Sequence, residues 1–328
     1  MAVTRIVICG GGLAGRLTAA MLTKQLGATA RITLVDCDGA SESDFFYGSV
    51  TSPSAYAFNL AAGVPEPPLV LVTNAGFSLG SRFTGWGPVR RRWMQCFHLP
   101  LPVINGVQLH HYLRRVGVQE IEPFLVTAAL AQRGVFAHPL ETGSGLLERA
   151  EYGYQFDPAT YLVPFTRAAQ GHEFRVIRAQ VAEVTCTSEG ISELRLSTGE
   201  VLTADLHVDC TGSRASLISQ VSGEEVKGRR LRALMSAESR DGVGAPYRTV
   251  TAHDFGWQSG TPLQGTNLKL TVIHPEDEEP RALAAHGATP HHVGEFTIGW
   301  RRQPWVHNCV AIGHAAGVAE PLSPAPMI

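Results

Sequence analysis

The chain has 328 residues, 44% of them hydrophobic and 17% charged, with a formal net charge of −2. This composition is that of a globular α/β protein with a sizeable core, and it excludes a disordered chain. The near-neutral balance excludes a general electrostatic pull toward nucleic acid or an anionic membrane, and no apolar stretch approaches the roughly 20 residues of a membrane span.

The first element is the run Arg5 to Cys9, short and rich in β-branched residues, the form of a parallel strand buried on both faces. Gly10, Gly12 and Gly15 follow as G-x-G-x-x-G, and Arg16 to Leu26 has the composition of a helix. Arg31 to Val35 reads as the second strand, with Asp36 at its carboxyl end, 21 residues beyond Gly15. Each part has a mechanical use. Gly10 permits the turn, Gly12 lets backbone approach a pyrophosphate, and Gly15 lets the helix pack on the strand. The helix N-terminus offers N–H groups and partial positive charge to phosphates, and Asp36 can accept from a ribose hydroxyl. FAD and NAD both fit this unit.

Strand character returns in Arg175 to Ile177, Val181 to Cys186, Leu194 to Leu196, and the run from Ala204 that ends in D-C-T-G at Gly212. A last strand, Cys309 to Ile312, ends at Gly313. Three strands so widely separated and closed by glycine, at Gly10, Gly212 and Gly313, suggest one nucleotide-binding sheet assembled from distant segments. The expected division is a discontinuous cofactor domain of residues 1–70, 145–225 and 295–328, with a substrate region of residues 71–144 and 226–294.

Several side chains invite other chemistry. His110-His111 and His291-His292 are adjacent pairs that point to different sides of an element and have no acidic or thiol ligands at useful spacing, so no metal is expected. Asp157, followed by Pro158, reads as a helix N-cap. Phe83, Trp86, Trp93 and Phe97 cluster where they could sandwich an aromatic ring, or simply pack a core. The runs Arg90-Arg91-Arg92 and Lys227, Arg229, Arg230 and Arg232 read as solvated faces. The six cysteines form no CxxC pair and several sit in apolar strand-like runs, which predicts free thiols in a reducing compartment. With no signal-peptide pattern at the N-terminus, a cytoplasmic protein is expected.

The segments ICGGGLAG, YGSVTSPSAY, NAGFSLGSRFTGW, FHLPLPVINGVQLHHYL, YQFDPATYLVPF, ADLHVDCTGSRASLI and NCVAIGHAAGVAEPL, in this order, resemble the flavin-dependent tryptophan halogenase family. The resemblance implies a Rossmann-like FAD-binding fold with inserted substrate-binding structure. It places Asp36 on the adenosine ribose, the backbone near Val181 on the adenine, and Gly48, Ser49 and Thr51 against the isoalloxazine. Gly212, Gly313, Gly317 and Pro321 then line the remainder of a non-covalent FAD. It also implies that A-G-x-x-E-P-L leads into a helix, with a helical region beyond.

Three departures from the family pattern bear on chemistry. The halogenase lysine position falls on Ser78, whose hydroxyl cannot replace an ammonium. The two-tryptophan signature keeps Trp257, Pro262 and Leu263 but has Ser259 and Thr261 at its other positions. The halide-binding stretch after E-P-L reads Ser323-Pro324-Ala325-Pro326. These changes suggest an FAD monooxygenase that hydroxylates an aromatic, indole or tryptophan-like ring through a flavin C4a-hydroperoxide. The substrate would be a small molecule or a tryptophan-containing peptide, and the electrons would come from a flavin reductase or NAD(P)H. His98, in FHLPLP, is a candidate acid/base. The alternatives are a halogenase with atypical residues, which a buried Lys269 reaching the tunnel would favour, and a non-catalytic FAD-binding partner protein.

Overall fold

The computed structural model describes residues 3–37, 42–97, 101–139, 151–170, 174–274, 279–324 and 327. Its first layer is a six-stranded sheet in the order Trp305–Val306, Cys309–Ala311, Leu206–Asp209, β1 (Arg5–Cys9), β2 (Arg31–Asp36), Phe174–Arg178. Every neighbouring pair is parallel except the edge strand Trp305–Val306. The widely separated strands at Arg5, Arg31, Arg175, Leu206 and Cys309 therefore meet in one sheet, whereas those expected at Val181 to Cys186 and Leu194 to Leu196 pair instead in a separate three-stranded sheet, because they follow each other as antiparallel hairpin strands.

The reason lies in alternation along β1. Ile6 and Ile8 point to one face, where α1 (Leu13–Leu26) and the helix Pro158–Ala168 cover them with Leu13, Tyr161 and Phe165. Val7 and Cys9 point to the other, where the three-stranded meander of Val181–Thr187, Gly190–Leu196 and Val201–Leu202 supplies Ile191 and Leu194. Burying each such aliphatic side chain contributes about 1.5–3 kcal/mol, so a strand apolar on both faces belongs at the centre. Asp157 caps the helix Pro158–Ala168, accepting from the Ala159 N–H at 3.0 Å. Among the described residues all six cysteines are free, four of them buried; Cys186 is exposed on the meander.

Register brings the strand ends level: Cys9 lies opposite Val35 and Asp209, and Asp209 opposite Ala311. The loops at Gly10, Cys37, Gly212 and Gly313 thus open at one edge, the edge at which open α/β sheets bind ligands.

The second layer is an eight-stranded sheet in the order Gly317–Val318, His292–Arg301, Glu225–Ser239, Thr266–Ile273, Gly256–Pro262, Arg248–His253, Gly80–Trp86, Arg91–Cys96. The expected boundary at residue 295 falls inside the strand His292–Arg301. Two devices join the layers. Phe45 and Phe46 enter the core of the large sheet, Phe46 stacking on Phe296 at 3.9 Å and 5°. The stretch after Gly313 crosses over, and Gly317–Val318 pairs with Gly299 and Trp300. Pro321 to Pro324 form turn and bend, and the helix expected after E-P-L would lie largely outside the described residues.

Candidate active site

The dinucleotide edge is built by close approach of backbones. A Cβ on Gly10 (φ +122°) would lie 2.0 Å from the Cys210 carbonyl oxygen, and one on Gly15 would lie 1.8 Å from that of Gly10. Only glycine fits either place. Asp36 stands at the end of β2, as expected, with its Oδ2 accepting from the Arg16 guanidinium at 2.6 Å. Its other oxygen folds over Gly11, where a Cβ would meet it at 1.5 Å. Val181, beside Cys37, sits just beyond. Gly212 (φ +70°) joins Ser43, Thr211, Arg214 and Gly294 around an open cleft of about 460 Å³.

Asp209 was not singled out from sequence, yet it organises this edge. It is fully buried, and its carboxylate accepts from the Thr211 N–H and Oγ1 at 3.0 and 2.7 Å. It also accepts from the N–H groups of Leu217 and Ile218 at 2.8 and 2.9 Å. The signal available was an acid in an apolar strand with threonine two residues on, an Asx-turn spacing. Asp44 was also missed. Its buried carboxylate accepts from the Leu13 N–H, the first of α1, at 2.7 Å. The helix N-terminus is therefore not wholly free for a phosphate, as the sequence suggested; one donor is already used. Burial pushes the Asp44 carboxyl up to about 7, with the Leu13 N–H opposing.

Of the loop Gly48 to Thr51, Ser49 and Thr51 are committed to structure. The Ser49 carbonyl accepts from Phe156, and the Thr51 backbone and hydroxyl pair with Tyr154. Gly48 (φ +78°) instead packs at the Pro321 loop, where a Cβ would lie 3.1 Å from Pro321 Cβ. Gly313 (φ +64°) has no room for a side chain, since a Cβ would meet the Tyr47 hydroxyl at 2.2 Å. The next residue, His314, is buried and stacked on Tyr47, and neither ring nitrogen has a partner. Desolvation holds its pKa down to about 4, so the ring is neutral, one nitrogen a donor and one an acceptor. Orphaned buried polar atoms beside glycine-lined loops are what a bound dinucleotide would satisfy, so this edge fits FAD.

A separate cleft of about 690 Å³ lies on the large sheet, lined by Trp86, Trp257, His274, Ile298, Glu320 and Leu322 among others. The Trp257 indole N–H donates to the Glu320 carboxylate, which also bonds the His274 Nε2 at 2.9 Å. The aromatic group divides. Phe83 stacks on Trp93 at 5.0 Å and meets Trp86 edge-on at 6.0 Å, whereas Phe97 makes no ring contact among the described residues. His98 lies outside the described residues. Ser78 is fully buried, its hydroxyl donating to the Gly80 carbonyl at 3.2 Å.

Lys269 does not reach this cleft. Trp257 pairs with Val272 and Gly260 with Lys269, so Lys269 points to the opposite face of the sheet. There its ammonium contacts Glu238 at 3.2 Å and the His286 carbonyl at 2.9 Å. Among the described residues no group of three His, Cys, Asp or Glu side chains could hold a metal, and no helix is long and apolar enough to cross a membrane.

Comparison with known proteins agrees with this geometry. A tryptophan 6-halogenase, ThaL of Streptomyces albogriseolus, is 28% identical over 97% of this chain and 66% of its own length. The chain thus spans about two thirds of this curated relative. The solved structure of BrvH, a flavin-dependent halogenase from Brevundimonas sp. BAL3, superposes with a TM-score of 0.86 at 27% identity, covering 99% of this chain and 70% of that one. Xcc4156, a flavin-dependent halogenase from Xanthomonas campestris, gives 0.87 at 27% identity, covering 100% and 69%. The family model described as tryptophan halogenase matches residues 5–327, and with FAD as its cofactor the chain belongs to that family.

Proposed function

We propose that this chain belongs to an enzyme that uses FAD to oxidise an electron-rich aromatic ring, indole or tryptophan-like, free or within a peptide, and that the group inserted is oxygen. The observation that carries the reading is Ser78. The family resemblance assigns its position to the lysine that directs halogen transfer, and here a small hydroxyl is buried and occupied with the Gly80 backbone. Lys269, the other candidate amine, faces away. The prolines after E-P-L weaken a halide site further, because Pro324 and Pro326 have no N–H to offer an anion.

When bound, FAD supplies the activation of dioxygen; the residues do the rest. Trp86, half-buried at the cleft, offers flat apolar surface to a ring, with the fully buried Trp257 packed behind it. Glu320 holds the Trp257 indole fixed and accepts from His274 Nε2, while His274 Nδ1 accepts from the Arg229 guanidinium at 2.9 Å, so these residues fix the cleft wall in place. Electrons would come from a separate flavin reductase or from NAD(P)H.

Halogenation is the second reading, favoured by the halogenases to which the chain is similar. The deciding experiment incubates the FAD-loaded chain with a flavin reductase, NADH, oxygen and indole or a tryptophan peptide, with and without bromide. A product gaining one oxygen irrespective of halide supports hydroxylation. A product in which halogen replaces hydrogen, formed only with halide, overturns it.

A further inference from the structure

Arg248 opens the strand Arg248–His253 on the face that carries Val250, and it is fully buried. Its two terminal nitrogens donate to the carbonyls of Pro321, at 2.9 Å, and Leu322. Its Nε has no partner, and among the described residues no carboxylate pairs with it. The acid next to Pro321, Glu320, is taken by Trp257 and His274. A whole positive charge out of water with only neutral carbonyls around it is costly, and native proteins almost always give such a charge a counter-charge. Arginine keeps its charge even here: burial brings the pKa down only to about 10.

Position identifies the missing counter-charge. A Cβ on Gly48 would lie 3.6 Å from Arg248 Nη1 and 3.1 Å from Pro321 Cβ, so the guanidinium sits where the Gly48 loop meets the Pro321 loop. If FAD binds as under Proposed function, the family resemblance puts the Gly48 loop against the flavin ring and the Pro321 loop along the adjoining part of the cofactor. A flavin that takes up two electrons and one proton acquires one net negative charge on that ring. We propose that Arg248 is the fixed counter-charge to the ring of reduced FAD, a positioning residue that favours the reduced, anionic form over the oxidised, neutral one. The flavin's charge would offset what the carbonyls of Pro321 and Leu322 leave unbalanced, and the Arg248 guanidinium would draw electrons toward the bound cofactor.

The test is a dithionite titration of the FAD-loaded chain and of the Arg248→Met and Arg248→Lys variants, following the flavin potential and absorbance. Arg248→Met should weaken binding of reduced relative to oxidised FAD tenfold or more, a fall of about 30 mV for the two-electron couple. Arg248→Lys should recover most of it. A reduced flavin that is neutral in the unmodified chain at pH 7 overturns the proposal without any variant, which covers the case in which Arg248→Met does not fold. An unchanged potential in a folded, FAD-binding Arg248→Met also overturns it. So does a chloride-dependent flavin spectrum lost in Arg248→Met at constant potential, since the charge would then serve halide. If the unmodified chain binds no FAD, both this inference and the flavin reading beneath it fall; binding with an unchanged potential removes the inference alone.

Discussion

Tyr47 and His314 stack face to face, ring centroids 3.9 Å apart and 11° from parallel, and the Tyr47 hydroxyl accepts the His314 backbone N–H at 3.0 Å. One residue belongs to the turn after β2 and the other to the loop after the last parallel strand, so this pair closes the cofactor edge around Gly313. Tyr47→Phe would leave the buried N–H without an acceptor, at a cost of about 1–3 kcal/mol. Gly313→Ala should be worse, because its Cβ would overlap the Tyr47 hydroxyl. Thermal melts of the apo chain and FAD titrations would check both. A Gly313→Ala protein with unchanged melting and FAD affinity would refute the packing described.

The buried histidines set an acid limit on stability. His314 and His207 are both held down to about 4 by desolvation, so between about 6.5 and 4 the unfolded chain binds protons that the folded chain refuses. Their contribution is complete above about 6.5 and is lost as pH falls through 4. Asp44, raised to about 7, opposes them in the same window, because there the folded state holds the extra proton. Two groups outweigh one, so apo stability should fall as pH is lowered from 6.5 to 4. Asp44→Asn should make the fall steeper. A stability flat across this window would contradict the assignment.

Asp44 also shares the α1 N-terminus with any incoming phosphate. Above about pH 7 its carboxylate is charged and repels an anion at Leu13; below, it is protonated and does not. FAD should therefore bind more tightly at pH 6 than at pH 8. Asp44→Asn should level that difference and strengthen binding severalfold at pH 8, as isothermal titration at the two pH values would show. Equal affinities in the unmodified chain would exclude Asp44 as a competitor.

Glu320 is the hinge of the aromatic cleft. Glu320→Ala would strand the buried Trp257 N–H and release His274, costing about 1–3 kcal/mol of stability. Glu320→Gln keeps one acceptor for the indole and should cost less. By loosening the wall of the aromatic cleft, Glu320→Gln should also lower turnover. Steady-state kinetics beside melting curves separates the two effects.

Ser78→Lys asks whether one side chain separates the two chemistries. The site is fully buried, so the variant should lose stability by several kcal/mol unless the ammonium finds a polar outlet. Where it folds, halogenated product in the presence of bromide is the expected gain, read by mass.

Much of this molecule is written in local pattern. β1, the glycine turn, α1, β2 and Asp36 are adjacent in the chain, and each obeys a short-range rule of strand burial, glycine geometry or helix composition, so they could be read in order. The N-cap at Asp157 is equally local. The departures at Ser78, Ser259 and Ser323 to Pro326 are also properties of single positions, visible once the motif order suggested the family. What the chain order does not contain is which distant groups share one buried space. Asp44 reaches α1 across 31 positions, Arg248 meets the Pro321 carbonyl across 73, and Tyr47 meets His314 across 267. Lys269 was a candidate amine until strand register turned it to the far face of the sheet. Desolvation depends on everything packed around a group, so a raised carboxyl, a neutral histidine and an uncompensated guanidinium exist only once the two sheets close over them.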